Sequence, residues 1–214
     1  PGIHYICEVK KASPSKGLIA EDFPYLQIAK EYEAAGADAI SCLTEPKYFL
    51  GKKEYLKAIT DEISIPVLRK DFTVDEYMLY EAKVLGASAV LLICSILSER
   101  QIQEYIGICD EMGISALVEA HDEKEVTMAV RAGARLIGIN NRNLGTFFTD
   151  VENSFRLAGQ LPQDAVLVSE SGISDPQTVK RLQTAGFRGF LIGETFMRTT
   201  QPGNTLGNFL QAIQ

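Results

Sequence analysis

Residues 86–92 read GASAVLL and follow an amphipathic stretch without a break. A glycine at such a junction closes a helix in the left-handed conformation that side chains disfavour. The residues after it are apolar, as in a parallel strand covered on both faces. The same junction recurs at Gly36 (GADAI, 36–40), Gly113 (GISALV, 113–118), Gly133 (GARLIGI, 133–139) and Gly186 (GFRGFLIG, 186–193). Adjacent junctions lie roughly 20 to 27 residues apart, and the wider gaps hold about two units, which is an internal βα repeat. Filling the gaps predicts strands near 3–10, 38–43, 65–70, 88–93, 114–119, 135–140, 165–170 and 188–192. Helices are expected near 24–35, 52–62, 75–85, 98–111, 122–131, 151–160, 175–185 and 204–213.

Helix starts are signposted by Ser98 before Glu99, by Asp175 before Pro176, and by Asp22 just ahead of the segment holding Tyr25 and Ile28. Eight alternating units argue for an α/β fold of the closed parallel (β/α)8, or TIM, type, with 1–214 as one domain. An open doubly wound sheet is the alternative, because local patterns do not prove closure. No linker or low-complexity segment divides the chain.

The 214 residues are 46% hydrophobic, enough for a sizeable core, and no apolar run approaches the length of a membrane span. The net charge of −7, with no basic run, makes nucleic acid a poor partner. Cys7, Cys42, Cys94 and Cys109 fit no zinc or CxxC spacing and sit in apolar stretches, which points to buried reduced thiols in a cytoplasmic protein. His4 and His121 are too few and too far apart to suggest a metal site. The chain opens at Pro1 without a Met, which suggests a fragment whose natural start lies upstream.

Catalytic groups of such a barrel gather at the C-terminal ends of its strands. Those ends carry Glu8-Val9-Lys10, Arg69-Lys70-Asp71, Glu119, Asn140-Asn141-Arg142 and Glu170-Ser171-Gly172. Strand alternation puts Lys70 on the face of Leu68, Glu119 on that of Leu117, Asn140 on that of Gly138, and Glu8 with Lys10. Each polar residue then continues an inward row and crowns the barrel. Such a gathering of charge is costly unless the groups pair or bind something. A charge network that only ties strands together is the alternative.

Phosphate sites of these barrels lie in the loops after the seventh and eighth strands, here SESGIS (169–174) and IGET (192–195). Gly172 and Gly193 allow close backbone approach to an anion, and the short helix start after Gly193 would aim N–H groups at it. Ser13 and Ser15 of SPSKG (13–17) add hydroxyls near the same rim. Tyr48 and Phe49 in TEPKYFLG (44–51), with Phe72, would suit a flat aromatic substrate or simply pack on the barrel top.

The blocks EVKKASPSKG (8–17), LTEPKYFLG (43–51), LRKDF (68–72), LVEAHDE (117–123), IGINNRNL (137–144), SESGIS (169–174) and FLIGETFM (190–197) resemble, in order and spacing, the signature blocks of indole-3-glycerol-phosphate synthases. The resemblance spans essentially the whole chain. It implies a barrel of the ribulose-phosphate-binding type and a carboxy-lyase of tryptophan biosynthesis. The implied substrate is 1-(2-carboxyphenylamino)-1-deoxyribulose 5-phosphate, which undergoes ring closure, decarboxylation and dehydration without cofactor or metal.

By the same resemblance Lys70 is the general acid and Glu119 the acid/base of the dehydration. Lys10 holds the substrate carboxylate or shares the acid role with Lys70, Glu8 and Asn140 orient the lysines and the sugar hydroxyls, and Ser171 with Glu170 lines the pocket. Arg142 is tied to the loop rim. Phe49, Phe72 and Pro14 wall the aromatic ring, and Ser13, Gly172, Gly193 and the backbone of Glu194 grip phosphate. Some members carry a small hydroxyl residue where Glu194 stands, so its carboxylate is a departure. Members also carry an N-terminal extension that caps the barrel mouth; its absence here implies weakened substrate binding. A monomer or a place in a bifunctional chain fits equally. Phosphoribosylanthranilate isomerase with Cys7 as catalyst, a Schiff-base aldolase using Lys70 beside Arg69, and an inactive phosphate-binding barrel remain alternatives.

Overall fold

The alternating segments fold into a closed ring of eight parallel strands, as seen in a computed structural model that describes residues 2–143 and 145–213. Pro1, Leu144 at the end of the 137–144 block, and Gln214 lie outside the described residues. Strands β1 (His4–Val9), β4 (Ala39–Leu43), β5 (Val67–Lys70), β6 (Ala89–Ile93), β7 (Ser115–Ala120), β8 (Leu136–Asn140), β9 (Val166–Glu170) and β10 (Gly189–Ile192) pair in sequence order, and β10 closes back onto β1. Closure removes the open doubly wound alternative. A two-residue ribbon, β2 (Ala12–Ser13) with β3 (Gly17–Leu18), interrupts the first crossover and was not expected.

Helices α1 (Tyr25–Ala35), α2 (Lys53–Glu62), α3 (Tyr77–Val84), α4 (Glu99–Met112), α5 (Glu123–Arg131), α6 (Glu152–Ala158) and α7 (Pro176–Thr184) form the outer layer. The short α8 (Glu194–Met197) and then α9 (Pro202–Gln211) follow β10. Gly36 and Gly113 close α1 and α4 with φ of 100° and 65°, as the junction pattern requires. Ser98 forms a full capping box with Gln101, and Asp175 caps α7 ahead of Pro176. Asp22 caps nothing: Pro24 occupies the cap position of α1 and no side chain accepts there.

Alternation along each strand divides the core in two. Cys7, Ile40, Val90, Val118, Ile137 and Phe190 face outward and pack under the helices. Leu68, Leu91, Ile93, Leu117, Val168 and Leu191 face inward and plug the barrel. Above this plug the inward rows turn polar, so the plug is the floor of the site.

Candidate active site

Over the plug, the strand ends enclose a cavity of about 530 Å³, a size suited to a small phosphorylated molecule. Its walls include Glu8, Lys10, Lys70, Asn140, Glu170 and Ser171, with Arg142, Gly172, Gly193 and Glu194 toward the rim. Glu119 does not line the cavity. It lies beneath Lys70, whose Nζ is 3.4 Å from Glu119 Oε2 and 3.5 Å from Glu170 Oε2. Lys10 Nζ contacts Glu8 Oε1 at 2.5 Å. Two ammonium groups and three carboxylates from four of the predicted strand ends thus meet in one cup.

Two glycines make room for them. A Cβ on Gly138 would stand 2.0 Å from Glu170 Oε1, and one on Gly193 would stand 2.4 Å from Glu8 Oε1. The space of each missing side chain is filled by a carboxylate from the neighbouring strand. Gly138 is therefore a site residue in effect, which its place in a β run did not reveal.

Burial shapes the protonation states. Burial pushes the Glu119 carboxyl up, but Lys70, His121 and the neighbouring Asn140 side chain hold it below the usual range. Glu8 is likewise lowered: burial opposes this, and Lys10, Lys70 and Arg142 outweigh it. Glu170 goes the other way: burial and the neighbouring Glu119 and Glu8 raise it against the pull of Lys70. Burial disfavours the Lys70 ammonium, yet Glu119, Glu170 and Glu8 together raise its pKa above the ordinary lysine value. Arg69 plays no part in this. It faces the helices, with Nη2 at 2.9 Å from Glu81 and 3.3 Å from Asp71. The lowered lysine pKa that a Schiff-base aldolase needs is absent, and Cys7 points at the helices rather than into the cup.

The turn after β9 is backbone-strained. Ser171 has φ of 68°, followed by Gly172 at 78°. The buried Asn141 holds it: Nδ2 donates to the Ser171 carbonyl at 3.0 Å and to Ser169 Oγ at 3.1 Å, while Oδ1 accepts from the Ser154 N–H and hydroxyl. At the rim, the Glu194 carboxylate lies among three cations, 3.0 Å from Arg198, 3.3 Å from Arg142 and 3.6 Å from Lys16. Lys16 and Arg198 were not expected there.

Phe49 lines the cavity, on a loop shaped by Glu45, whose carboxylate accepts from the backbone N–H groups of Lys47, Tyr48 and Phe49. Phe72 lies behind it, 6.2 Å between ring centroids, and packs against the plug. Tyr48 is exposed away from the cavity. Ser13 and Pro14 do not line it either: Ser13 is buried in the β2–β3 ribbon and Pro14 sits at its tip. His121 is the residue that reasoning from sequence set aside and the structure brings in. Its Nε2 lies 3.3 Å from Glu119 Oε1, an ionic contact off the line of a directed hydrogen bond, and its Nδ1 lies 2.9 Å from Glu125 Oε2. Continuing the inward alternation from Leu117 through Glu119 would have found it.

A family model described as Indole-3-glycerol phosphate synthase matches residues 2–209. An indole-3-glycerol phosphate synthase of Lachnoclostridium phytofermentans is 55% identical over 94% of this chain and 74% of its own. One of Bacteroides thetaiotaomicron is 57% identical over 98% of this chain and 80% of its own. The solved structure of KGPDC from Streptococcus mutans superposes with a TM-score of 0.74 over 100% of this chain and 98% of that one, at 11% identity, which speaks to the fold alone.

Proposed function

The chain belongs to the indole-3-glycerol phosphate synthase family, carboxy-lyases of tryptophan biosynthesis, and on that premise we propose how its residues divide the reaction. The substrate is 1-(2-carboxyphenylamino)-1-deoxyribulose 5-phosphate. The ring carbon bearing the carboxylate attacks the ribulose carbonyl, and the carbonyl oxygen takes a proton from Lys70. Carbon dioxide then leaves with its bonding pair returned to the ring. The new hydroxyl takes a proton from Lys10 and departs as water, while Glu119 accepts the proton lost from the adjacent ring carbon.

The observation that carries this reading is the Lys70–Glu119 contact, 3.4 Å at the floor of the cavity. An ammonium kept charged by three carboxylates is an acid at every ordinary pH. A carboxylate held below its usual range is ready to accept a proton. Lys10 is placed for the substrate carboxylate and is oriented by Glu8. Asn140 stands beside Glu119 and accepts from the Arg142 N–H at 3.0 Å, linking the floor to the rim. Glu170 and Ser171 face the sugar, and Phe49 backed by Phe72 takes the aromatic ring. Gly172, Gly193 and the backbone of Glu194 receive the phosphate, with Arg142 above; Ser13 and Pro14 join only if the β2–β3 ribbon moves inward on binding. We treat residues 1–214 as one barrel domain working in the cytoplasm, alone or within a bifunctional chain. The four buried free cysteines favour that compartment.

The test is turnover followed by indole fluorescence. Lys70→Ala is expected to lose ~10²–10⁴-fold in kcat, the usual worth of one general acid. Turnover near that of the unaltered protein would remove Lys70 from the mechanism.

A further inference from the structure

We propose that His121 is a positioning residue for this reaction, an imidazolium clamped between Glu119 and Glu125 that keeps the Glu119 carboxylate ionised and turns its Oε2 toward Lys70. The inference rests on the reading of Glu119 as the proton acceptor. Its geometry is independent of that reading. Both ring nitrogens face carboxylate oxygens, Nε2 at 3.3 Å and Nδ1 at 2.9 Å. A carboxylate offers only acceptors and a neutral imidazole has one N–H, so the arrangement calls for the doubly protonated ring. Glu125 Oε2 also accepts from the His121 backbone N–H at 2.8 Å, which fixes the clamp to the start of α5. The two carboxylates hold the imidazole protonated against its burial, with its pKa pushed up to about 10.

The other groups around the clamp do not replace it. Asp122 is committed to capping α5 through the N–H groups of Lys124 and Glu125. From α6, Asn153 donates to the His121 carbonyl at 3.1 Å. The Cys94 thiol after β6 is neutral, pushed up to about 12 by burial and the nearby carboxylates. On the cup side, Glu119 faces Lys70 from β5, Glu170 from β9, Asn140 from β8 and, farther off, the Glu8–Lys10 pair of β1. Lys70 is thus shared by Glu119 and Glu170, and one cation does not hold two adjacent carboxylates ionised. His121 adds its charge to Glu119 alone, from the side away from substrate, so that Glu119 is the one that ionises while Glu170 keeps its proton. The imidazole borders an adjoining cleft of about 720 Å³ that shares Asn140 and Arg142 with the reaction cavity, and it does not line that cavity itself.

The test compares kcat and KM from about pH 5 to 9 in the unaltered protein, His121→Asn and His121→Phe. Both variants are expected to shift the acidic limb of kcat upward by about one unit or more, since an opposite charge at this range lowers a carboxyl by about that much. KM should change little. His121→Asn, which keeps an uncharged donor toward Glu119, should retain more of the plateau rate than His121→Phe. In the unaltered protein, nitrogen NMR should find both His121 ring nitrogens protonated at about pH 7.5, a readout that survives if a variant fails to fold. A neutral ring there, or folded variants with an unmoved acidic limb, overturns the inference. Full turnover in Glu119→Gln would instead overturn the role given to Glu119, and this inference with it.

Discussion

Gly138→Ala tests the structural logic of the cup with a single methyl group. The backbone there is ordinary strand, so alanine brings no conformational strain; what it brings is a Cβ 2.0 Å from Glu170 Oε1 and 3.1 Å from its Cδ. Ordinary contact begins at 3.4 Å, so the carboxylate must retreat by about 1.4 Å. The Lys70–Glu170 separation then grows from 3.5 Å by about that amount, and the Lys70 ammonium loses the carboxyl that seats it on that side. Misplacing a group by about 1 Å beside the reacting atoms costs up to ~10²-fold. We therefore expect kcat to fall ~10- to 100-fold. Stability should fall by only ~1 kcal/mol, the low end for overpacking, because the end of one side chain gives way. Indole fluorescence and urea denaturation measure the two. In a Glu170→Ala background the methyl enters vacated space, so the stability cost should nearly vanish, a coupling that a double-mutant cycle reads directly. A Gly138→Ala protein with kcat within about twofold of the parent, or an equal stability loss in both backgrounds, would refute the argument.

Three further outcomes follow from the same geometry. Asn141→Ala orphans the Ser154 and Ser169 partners and releases the strained Ser171 turn; urea denaturation should show a loss of ~2–4 kcal/mol, and KM should rise. Glu170 is raised in the folded state, so the folded protein holds a proton the unfolded chain has released, and stability is lost as pH rises from the ordinary carboxylate range through the folded value. Glu170→Gln should remove that loss and gain on the parent as pH rises, and parallel denaturation curves with no pH-dependent gap would count against it. Glu194→Ser frees Lys16, Arg142 and Arg198 from a carboxylate they now share; KM should fall and inhibition by inorganic phosphate strengthen, each by up to about fivefold. A raised KM would mean that Glu194 aligns those cations rather than competing with the phosphate.

The barrel was legible because each of its parts repeats. The junction glycines and the apolar runs after them mark five of the strands, and filling the gaps places the other three, all to within about two residues. The inward row was legible at Glu8, Lys70 and Glu119 because alternation is a rule of the single strand. The same rule, carried one residue back or two forward, turns Arg69 outward and brings His121 in. Other features depend on a neighbour that the local sequence does not contain. Gly138 matters because Glu170 of β9 fills its empty side, a relation across the sheet. Ser171 adopts a positive φ because Asn141, on another strand end, holds its carbonyl. The SPSKG segment looked like an anion loop by composition, whereas backbone pairing folds it into a ribbon and leaves Lys16 at the rim.

Charge is distributed unequally across the cup, and that inequality gives the proposed substrate its orientation. At the rim three cations face the single carboxylate of Glu194. At the floor three carboxylates, Glu8, Glu119 and Glu170, face the two ammonium groups of Lys10 and Lys70, with His121 behind Glu119. A molecule with a phosphate at one end and a ring carboxylate at the other meets its most favourable field with the phosphate outward. The ring carboxylate can enter only where the floor is close to neutral. Glu170 provides for this: both its oxygens are buried without a hydrogen-bond partner among the described residues, and its raised pKa keeps a proton on it. A carboxyl that stays neutral lets an anionic ring approach Lys10, while Glu119, one strand pair away, remains the base. The empty face of Gly138 thus does more than admit a side chain: it sets two carboxyls close enough that just one of them ionises.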